Sequence, residues 1–370
     1  MKYFSYLKNV DKLICLTVLI LAAVSIVMIG STSVDSNFFS RSVIVQSAAY
    51  FIGITAALIL MAIDYKIFQD FTILLYILAL GILLLVYVPG LGIEVSGARA
   101  WIDLRVVTFQ PSEVVKLIFI LIMADYLNKH HKDLNTFGSL VKAGILATPI
   151  ILIVLKEDFG SAMVFASIWL VMIFYAGIDL KVFAKFFALV IAMVPVGFLF
   201  MQDYQRDRLE AFLHPNNLAI SGNYQVWQSK VAIGSGGIFG KGLFNGTQKS
   251  LDFIPVQTSD FIFSVIGEEL GLVGGVAVIA LFGFLLVRMM KILRRSTDFY
   301  GALIISGVIG MLTFQIFENI AMTMGLMPVT GITLPFLSYG GSSIISNVLS
   351  IALVMNVYAR GRNDQLNSIF

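Results

Sequence analysis

The sequence predicts an all-α integral membrane protein of about ten transmembrane helices with long extracytoplasmic loops. Three observations carry that prediction. Hydrophobic residues make up 58% of the 370-residue chain and charged residues 13%, with a mean hydropathy of +0.92; a soluble domain is about half apolar and about a quarter charged. Ten apolar runs approach the roughly 20 residues that a helix needs to cross a bilayer. Lysine and arginine gather between alternate pairs of those runs. The formal net charge of +3 says little about partners, since the placement of charge matters more than its sum.

The first run, 13–32, follows lysines as a signal peptide would, but it is about span length and lacks an evident small-residue cleavage site. It reads as an uncleaved first helix. Its Cys15 is the lone cysteine, so no intramolecular disulfide can form. Further spans are expected at 42–63, 68–88, 112–128, 140–155, 160–177, 181–201, 261–287, 301–325 and 341–359. Those at 112–128, 140–155 and 160–177 are short or polar at one end. An even count puts both termini on one side. Placing them in the cytoplasm assigns Lys2, Lys8, Lys12, Lys66, Lys129, Lys132, Lys142, Lys181 and Lys185 to the inside. Arg288, Lys291, Arg294, Arg295, Arg360 and Arg362 join them, as the positive-inside rule requires. The chain reads as a single polytopic membrane domain, 1–370.

Two outer segments, 89–111 and 202–258, are too long to be mere connectors, and long loops in compact proteins are usually functional or disordered. Stretches such as "DYQRDRLEAFLHP" and "GNYQVWQSKVAI" favour ordered, surface-lying helices.

The acids of "IPVQTSDFIFSVIGEELG" (254–271) are the sharpest chemical signal. At helical spacing Asp260, Ser264, Gly267, Glu268 and Gly271 share one face. Ionisable groups in a span usually face the protein interior or a wet cavity. The plainer reading, a helix cap from Ser259 or Asp260, leaves Glu268 unexplained. A hydrolase pair is disfavoured, because eight helical residues span about 12 Å, whereas hydrolase carboxylates lie about 5–9.5 Å apart. Asp260 is therefore expected to work as a lone base, which suits a leaving group that needs no proton, such as a diphosphate. Glu268 and Ser264 are expected to be structural polar groups, with Glu268 bonded to Ser, Asn or Arg of neighbouring helices.

"TFQPSEVVK" opens the fourth span. Pro111 suits a first helical turn and Glu113 complements the helix dipole there. Lys116 shares its face; the two either neutralise each other as an internal ion pair or present Lys116 to an anionic head group. In "KEDFG", Asp158 either caps the sixth helix or faces substrate; the kinase resemblance is in letters only. "GSGGIFGKG" (234–242) fails as a phosphate loop, since Ser235 and Gly242 occupy the places where glycine and Ser or Thr are needed. It reads as a flexible turn with Lys241 near substrate. Arg206, Arg208 and Lys230 lie in amphipathic outer stretches. Each is either an interfacial snorkelling cation or a phosphate ligand. His130, His131 and His214 lack the spacing of a zinc site.

"YQRDRLEAFLHP", "YQVWQSKVAIGSGGIFGKGL", "GTQKSLDFIPVQTSDFIFSVIGEELGLVG", "LPFLSYGGSS", "GARAWIDL", "FQPSEVVKL" and "EDFGSAMV" resemble, in order and nearly end to end, the SEDS family of shape, elongation, division and sporulation proteins. "DYQR", "GTQ" and "LDFIP" look more like its rod-shape (RodA) branch. The resemblance implies ten spans and a peptidoglycan glycosyltransferase that polymerises lipid II outside the cytoplasmic membrane during elongation. It implies a class B penicillin-binding protein as partner alongside membrane lipid, and no nucleic acid. By resemblance Asp260 matches the family's essential acid. "PVQTSDF" departs from the common Pro-Glu-x-His-Thr-Asp-Phe, so no role of that Glu or His passes to Val256 or Thr258.

Joined, the two lines give an inverting displacement. Asp260 takes the proton of the acceptor's 4-hydroxyl; Lys116, Arg208, Arg206 or Lys230 neutralise the departing diphosphate, work that a divalent cation could share. No dedicated metal cage is visible. A lipid II flippase and a non-catalytic scaffold for the penicillin-binding protein are the rival readings.

Overall fold

The computed structural model describes residues 9–32, 40–95, 98–103, 105, 108–131, 133–134, 136–199, 201–217, 220, 222–247 and 256–367, without the side chains of 95, 193–199 and 363–367. Lys2, Lys8, Lys132 and the "LDFIP" segment lie outside the described residues.

Helices occupy all ten expected spans among the described residues. They are α1 (Lys12–Ser31), α2 (Arg41–Ala62), α3 (Thr72–Leu84), α4 (Pro111–His130), α5 (Phe137–Glu157), α6 (Phe159–Tyr175), α7 (Leu180–Leu199), α10 (Ile262–Leu293), α11 (Phe299–Thr323) and α12 (Gly341–Asn367). Side-chain caps start several of them: Asp11, Ser40, Thr136, Asp158 and Asp298 each accept from a first-turn N–H. The third span differs from its expected run. It is a short helix flanked by 3₁₀ turns at Tyr65–Gln69 and Leu85–Tyr87.

The short, polar fourth span is the hub. α4 packs against α3, α5, α6, α11 and α12, and nearly every residue from Pro111 to Leu127 is buried. A helix enclosed on all sides needs no lipid-facing stripe, and its charges are sheltered by other helices. α12 packs along α2, and α11 along α6.

The segment 89–111 is not merely an ordered loop. It forms a three-stranded antiparallel sheet, β1 (Gly92–Val95), β2 (Ala98–Asp103) and β3 (Thr108–Phe109), in the order β1-β2-β3. Gly92 pairs with Ile102, and Asp103 with Thr108. Glu157, at the end of α5, fastens the sheet by accepting from Arg99 N (3.1 Å) and the Tyr87 hydroxyl (2.8 Å). In 202–258 the two amphipathic stretches form α8 (Asp203–Leu213) and α9 (Asn223–Ser235).

The eighth span is 32 residues long, roughly 48 Å at helical rise, against a hydrocarbon core of about 30 Å. It is broken at Gly271, whose φ of 67° and ψ of −162° are non-helical. The glycine-rich segment after α9 fills the break. Gly237 and Ile238 carbonyls accept from Leu272 N and Val273 N, the first donors of the second half. Lys241 N and Gly242 N donate to the carbonyls of Glu268 and Glu269. A Cβ at Gly236 would stand 2.0 Å from the Gly267 carbonyl oxygen, and one at Gly240 2.1 Å from that of Glu269. "GSGGIFGKG" is thus a packed main-chain seam rather than a flexible turn.

Candidate active site

Asp260 does not share a helix face with Ser264 and Glu268. α10 begins at Ile262, and its capping residue Phe261 makes no side-chain cap bond. Asp260 sits instead in a turn over Val256–Phe261, with its N–H donating to the Val256 carbonyl at 3.1 Å.

That turn is held from outside by the "LPFLSYGGSS" segment. Tyr339 N donates to the Thr258 carbonyl (2.9 Å) and the Ser338 hydroxyl to the Ser259 carbonyl (2.5 Å). Segment 334–340 is irregular, so its own backbone groups need partners from elsewhere. Ser25 of α1 donates to the Leu337 carbonyl, Gln46 of α2 to that of Ser338, and the Tyr50 hydroxyl to that of Phe336. From α11, Asn319 Nδ2 donates to both the Asp260 carbonyl (2.9 Å) and the Ile332 carbonyl (2.8 Å).

Asp260 opens into a cavity of about 550 Å³. Glu113 and Lys116 line the same cavity, paired at 2.8 Å with side chains only 5% and 1% exposed. Arg41 at the start of α2, Trp101, Asp103 and Arg105 of the sheet region, and Gln110 and Gln315 complete its polar wall. β2 alternates as a strand must: Trp101 and Asp103 reach the cavity while Ile102 is buried.

The Asp260 carboxyl is half-buried by surface area yet hemmed in by protein, because its open edge meets the cavity. Burial pushes its pKa above the ordinary aspartate value. The Ser259 hydroxyl and the Arg208 guanidinium pull it back down, and Asp158 adds a smaller upward push.

The other candidates are placed differently. Arg208 stands behind Gly331 rather than in the cavity wall, its Nη1 donating to the Thr330 carbonyl at 2.8 Å. Lys230 faces a second, smaller cavity of about 40 Å³ that Arg208 also lines. Arg206 is exposed and lines neither. Asp158 caps α6, accepting from Ser161 N (2.9 Å) and the Ser161 hydroxyl (2.6 Å), and also takes a bond from Gln110 Nε2 (3.0 Å). Ser264 meets the Ser229 hydroxyl at 2.5 Å, joining α9 to α10. Glu268 accepts from Lys241 Nζ (2.7 Å), Thr247 N (2.8 Å) and the Thr247 hydroxyl (3.0 Å). These bonds come from the 241–247 segment that follows α9, and they engage Lys241 with Glu268. Glu269 accepts from Ser31 Oγ (2.5 Å) and Phe244 N (3.1 Å).

Arg41, Arg105, Trp101 and Asn319 were missed by sequence reasoning. The signal for the two arginines was their place in segments expected on the outer side, where the charge rule disfavours cations. Among the described residues, no group of three or more His, Cys, Asp or Glu could hold a metal ion. A divalent cation held through diphosphate oxygens needs only one or two carboxylates.

Known proteins share this fold. The FtsW/RodA/SpoVE cell cycle protein family matches over residues 11–363. Peptidoglycan glycosyltransferase MrdB of Escherichia coli (strain K12) is 33% identical, over 95% of this chain and 94% of that one. A chain solved in work on the structural coordination of polymerization and crosslinking by a peptidoglycan synthase complex superposes with a TM-score of 0.80 at 29% identity, covering 95% of this chain and 98% of that one. Rod shape determining protein RodA of Thermus thermophilus superposes with a TM-score of 0.70 at 29% identity, over 94% and 96%. With the family match spanning nearly the whole sequence and a relative 33% identical over 95% of it, the chain belongs to the FtsW/RodA/SpoVE, or SEDS, family of multi-pass bacterial membrane proteins.

Proposed function

We propose that this protein is a peptidoglycan glycosyltransferase of the rod-shape type, polymerising lipid II into β-1,4 glycan strands at the outer face of the cytoplasmic membrane during elongation. The observation that carries the reading is the meeting of Asp260 with Lys116, Glu113, Arg41 and Arg105 around one cavity. The chain's relative MrdB is named a peptidoglycan glycosyltransferase.

Asp260 accepts the proton of the acceptor's GlcNAc 4-hydroxyl as that oxygen attacks the anomeric carbon of the donor's MurNAc. The new C–O bond forms as the bond to the diphosphate breaks, and the electron pair leaves with undecaprenyl diphosphate, which needs no proton. One displacement inverts the α-linked donor to a β linkage. A base whose pKa is raised toward the working pH transfers protons more effectively, a contribution of about 10²–10⁴-fold. Charge on the leaving group falls to Lys116, Arg41 and Arg105, which line the cavity. Electrostatic stabilisation of this kind usually lowers a barrier more than any other single effect. Arg208, set behind Gly331, acts on Asp260 instead.

Both termini lie in the cytoplasm and the cavity faces outward, on the distribution of Lys and Arg. The partner is a class B penicillin-binding protein that crosslinks the strands, as the structural relative from a peptidoglycan synthase complex suggests.

The test is polymerisation of lipid II by purified protein in detergent. Asp260→Asn should lower the rate by about 10²–10⁴-fold while elution and thermal unfolding stay those of the native protein. Native-like polymerisation by that variant removes Asp260 from the mechanism.

A further inference from the structure

Glu318 of α11 is fully buried and has no part in the chemistry above. Its Oε1 accepts the Thr330 hydroxyl at 2.6 Å. The Thr330 carbonyl in turn accepts Arg208 Nη1 at 2.8 Å. One residue is therefore tied to α11 on one side and to the guanidinium on the other. Gly331 comes next: a Cβ there would lie 3.6 Å from Asp260 Oδ2 and 3.7 Å from Arg208 Nη1, so acid and guanidinium are neighbours across it. Burying a carboxyl costs more than burying a hydrocarbon of similar size. The gain at this position is the hydrogen bond.

We propose that Glu318 is a positioning residue for glycosyl transfer, setting Arg208 beside Asp260 through Thr330. The inference rests on Asp260 being the base. Arg208 favours ionised Asp260, against burial and Asp158. The other charged groups around the same cavity are Glu113 and Lys116 of α4, Arg41 of α2, and Asp103 and Arg105 of the sheet region. They are left in place by substitutions at 318 or 330. When the tie is cut, the Thr330 carbonyl that accepts Arg208 loses its anchor, the guanidinium shifts toward the Tyr204 ring it already lies over, and Asp260 then keeps its proton to higher pH.

The experiment is the pH dependence of lipid II polymerisation. Glu318→Leu and Thr330→Val should each move the acid limb upward by about one pH unit, the size expected for loss of a neighbouring opposite charge. Thr330→Val keeps the carbonyl and removes only the hydroxyl, which covers the case that Glu318→Leu folds poorly. Glu318→Gln retains an acceptor for Thr330 and should restore the native limb. Limbs that coincide with the native one overturn the proposal, as does a rate lost at every pH without displacement. A Gln variant displaced as far as Leu also overturns it. Asp260→Asn, run alongside, separates the two claims: polymerisation by that variant defeats the base assignment, whereas an inactive Asp260→Asn with unmoved limbs in the others defeats only the tie.

Discussion

Lys116 and Glu113 were expected either to neutralise each other or to meet a head group, and the structure leaves room for both. The pair is closed at 2.8 Å and almost wholly buried, yet both residues line the cavity. Removing one member of a buried pair typically costs about 3–5 kcal/mol, because the other charge is left uncompensated. Lys116→Met and Glu113→Leu should each lower the unfolding temperature sharply. The double variant should recover much of that loss, since well-packed apolar replacements of buried ion pairs are often neutral. Polymerisation, by contrast, should stay lost in the double variant if Lys116 serves the diphosphate. Thermal unfolding and turnover measured on all four proteins check this. At this scale Asp260 stood out in the sequence because it precedes an apolar run, and the structure places it on the cavity. Asp158 was legible as a cap because its spacing to Ser161 is local. Arg41 and Arg105 were not: one opens a span and the other lies in a loop, and only tertiary structure brings them to Asp260. Glu318 sits mid-span with its partner twelve positions away, across a turn that no periodicity reveals.

The element that departs most from its expected form is α10. Hydropathy averages over a window, so it registered one long span and no break at Gly271. The glycines of 234–242 were equally ambiguous: the same residue type serves a loose turn or a place where two backbones touch. What decides is the partner backbone, more than twenty residues away in sequence. The close approach makes the seam intolerant of even one methyl. Gly236→Ala should destabilise by about 1–3 kcal/mol, the usual cost of overpacking, because the added carbon would stand 2.0 Å from a carbonyl oxygen. Gly234→Ala, two residues earlier in α9, meets nothing within 4 Å and should be neutral or slightly stabilising. Thermal unfolding in detergent distinguishes the pair. The sheet over 92–109 was missed although Ala98–Asp103 alternates and its flanks are β-branched; strands of four, six and two residues are too short for periodicity to stand out.

For the whole molecule, helices at the ten expected spans among the described residues were legible because long apolar runs stand out in composition. Sidedness was read from charge placement, and it makes a direct prediction. With Cys15 replaced by alanine, a cysteine at exposed Glu210 in α8 should react with a membrane-impermeant maleimide in intact spheroplasts. A cysteine at exposed Arg294 should react only after lysis. The reverse pattern would turn the cavity toward the cytosol and leave no place for lipid-linked donor chemistry there.

The turn bearing Asp260 is fastened by Ser338, Tyr339 and Asn319, and the segment that carries the first two is braced by Ser25 and Gln46 near the other end of the chain. A polypeptide made from its N-terminus therefore contains Asp260 before the residues that fasten its turn have been added. The arrangement around Asp260 comes into being only when the segment before the closing helix docks. A nascent or prematurely ended chain lacks those fastenings altogether.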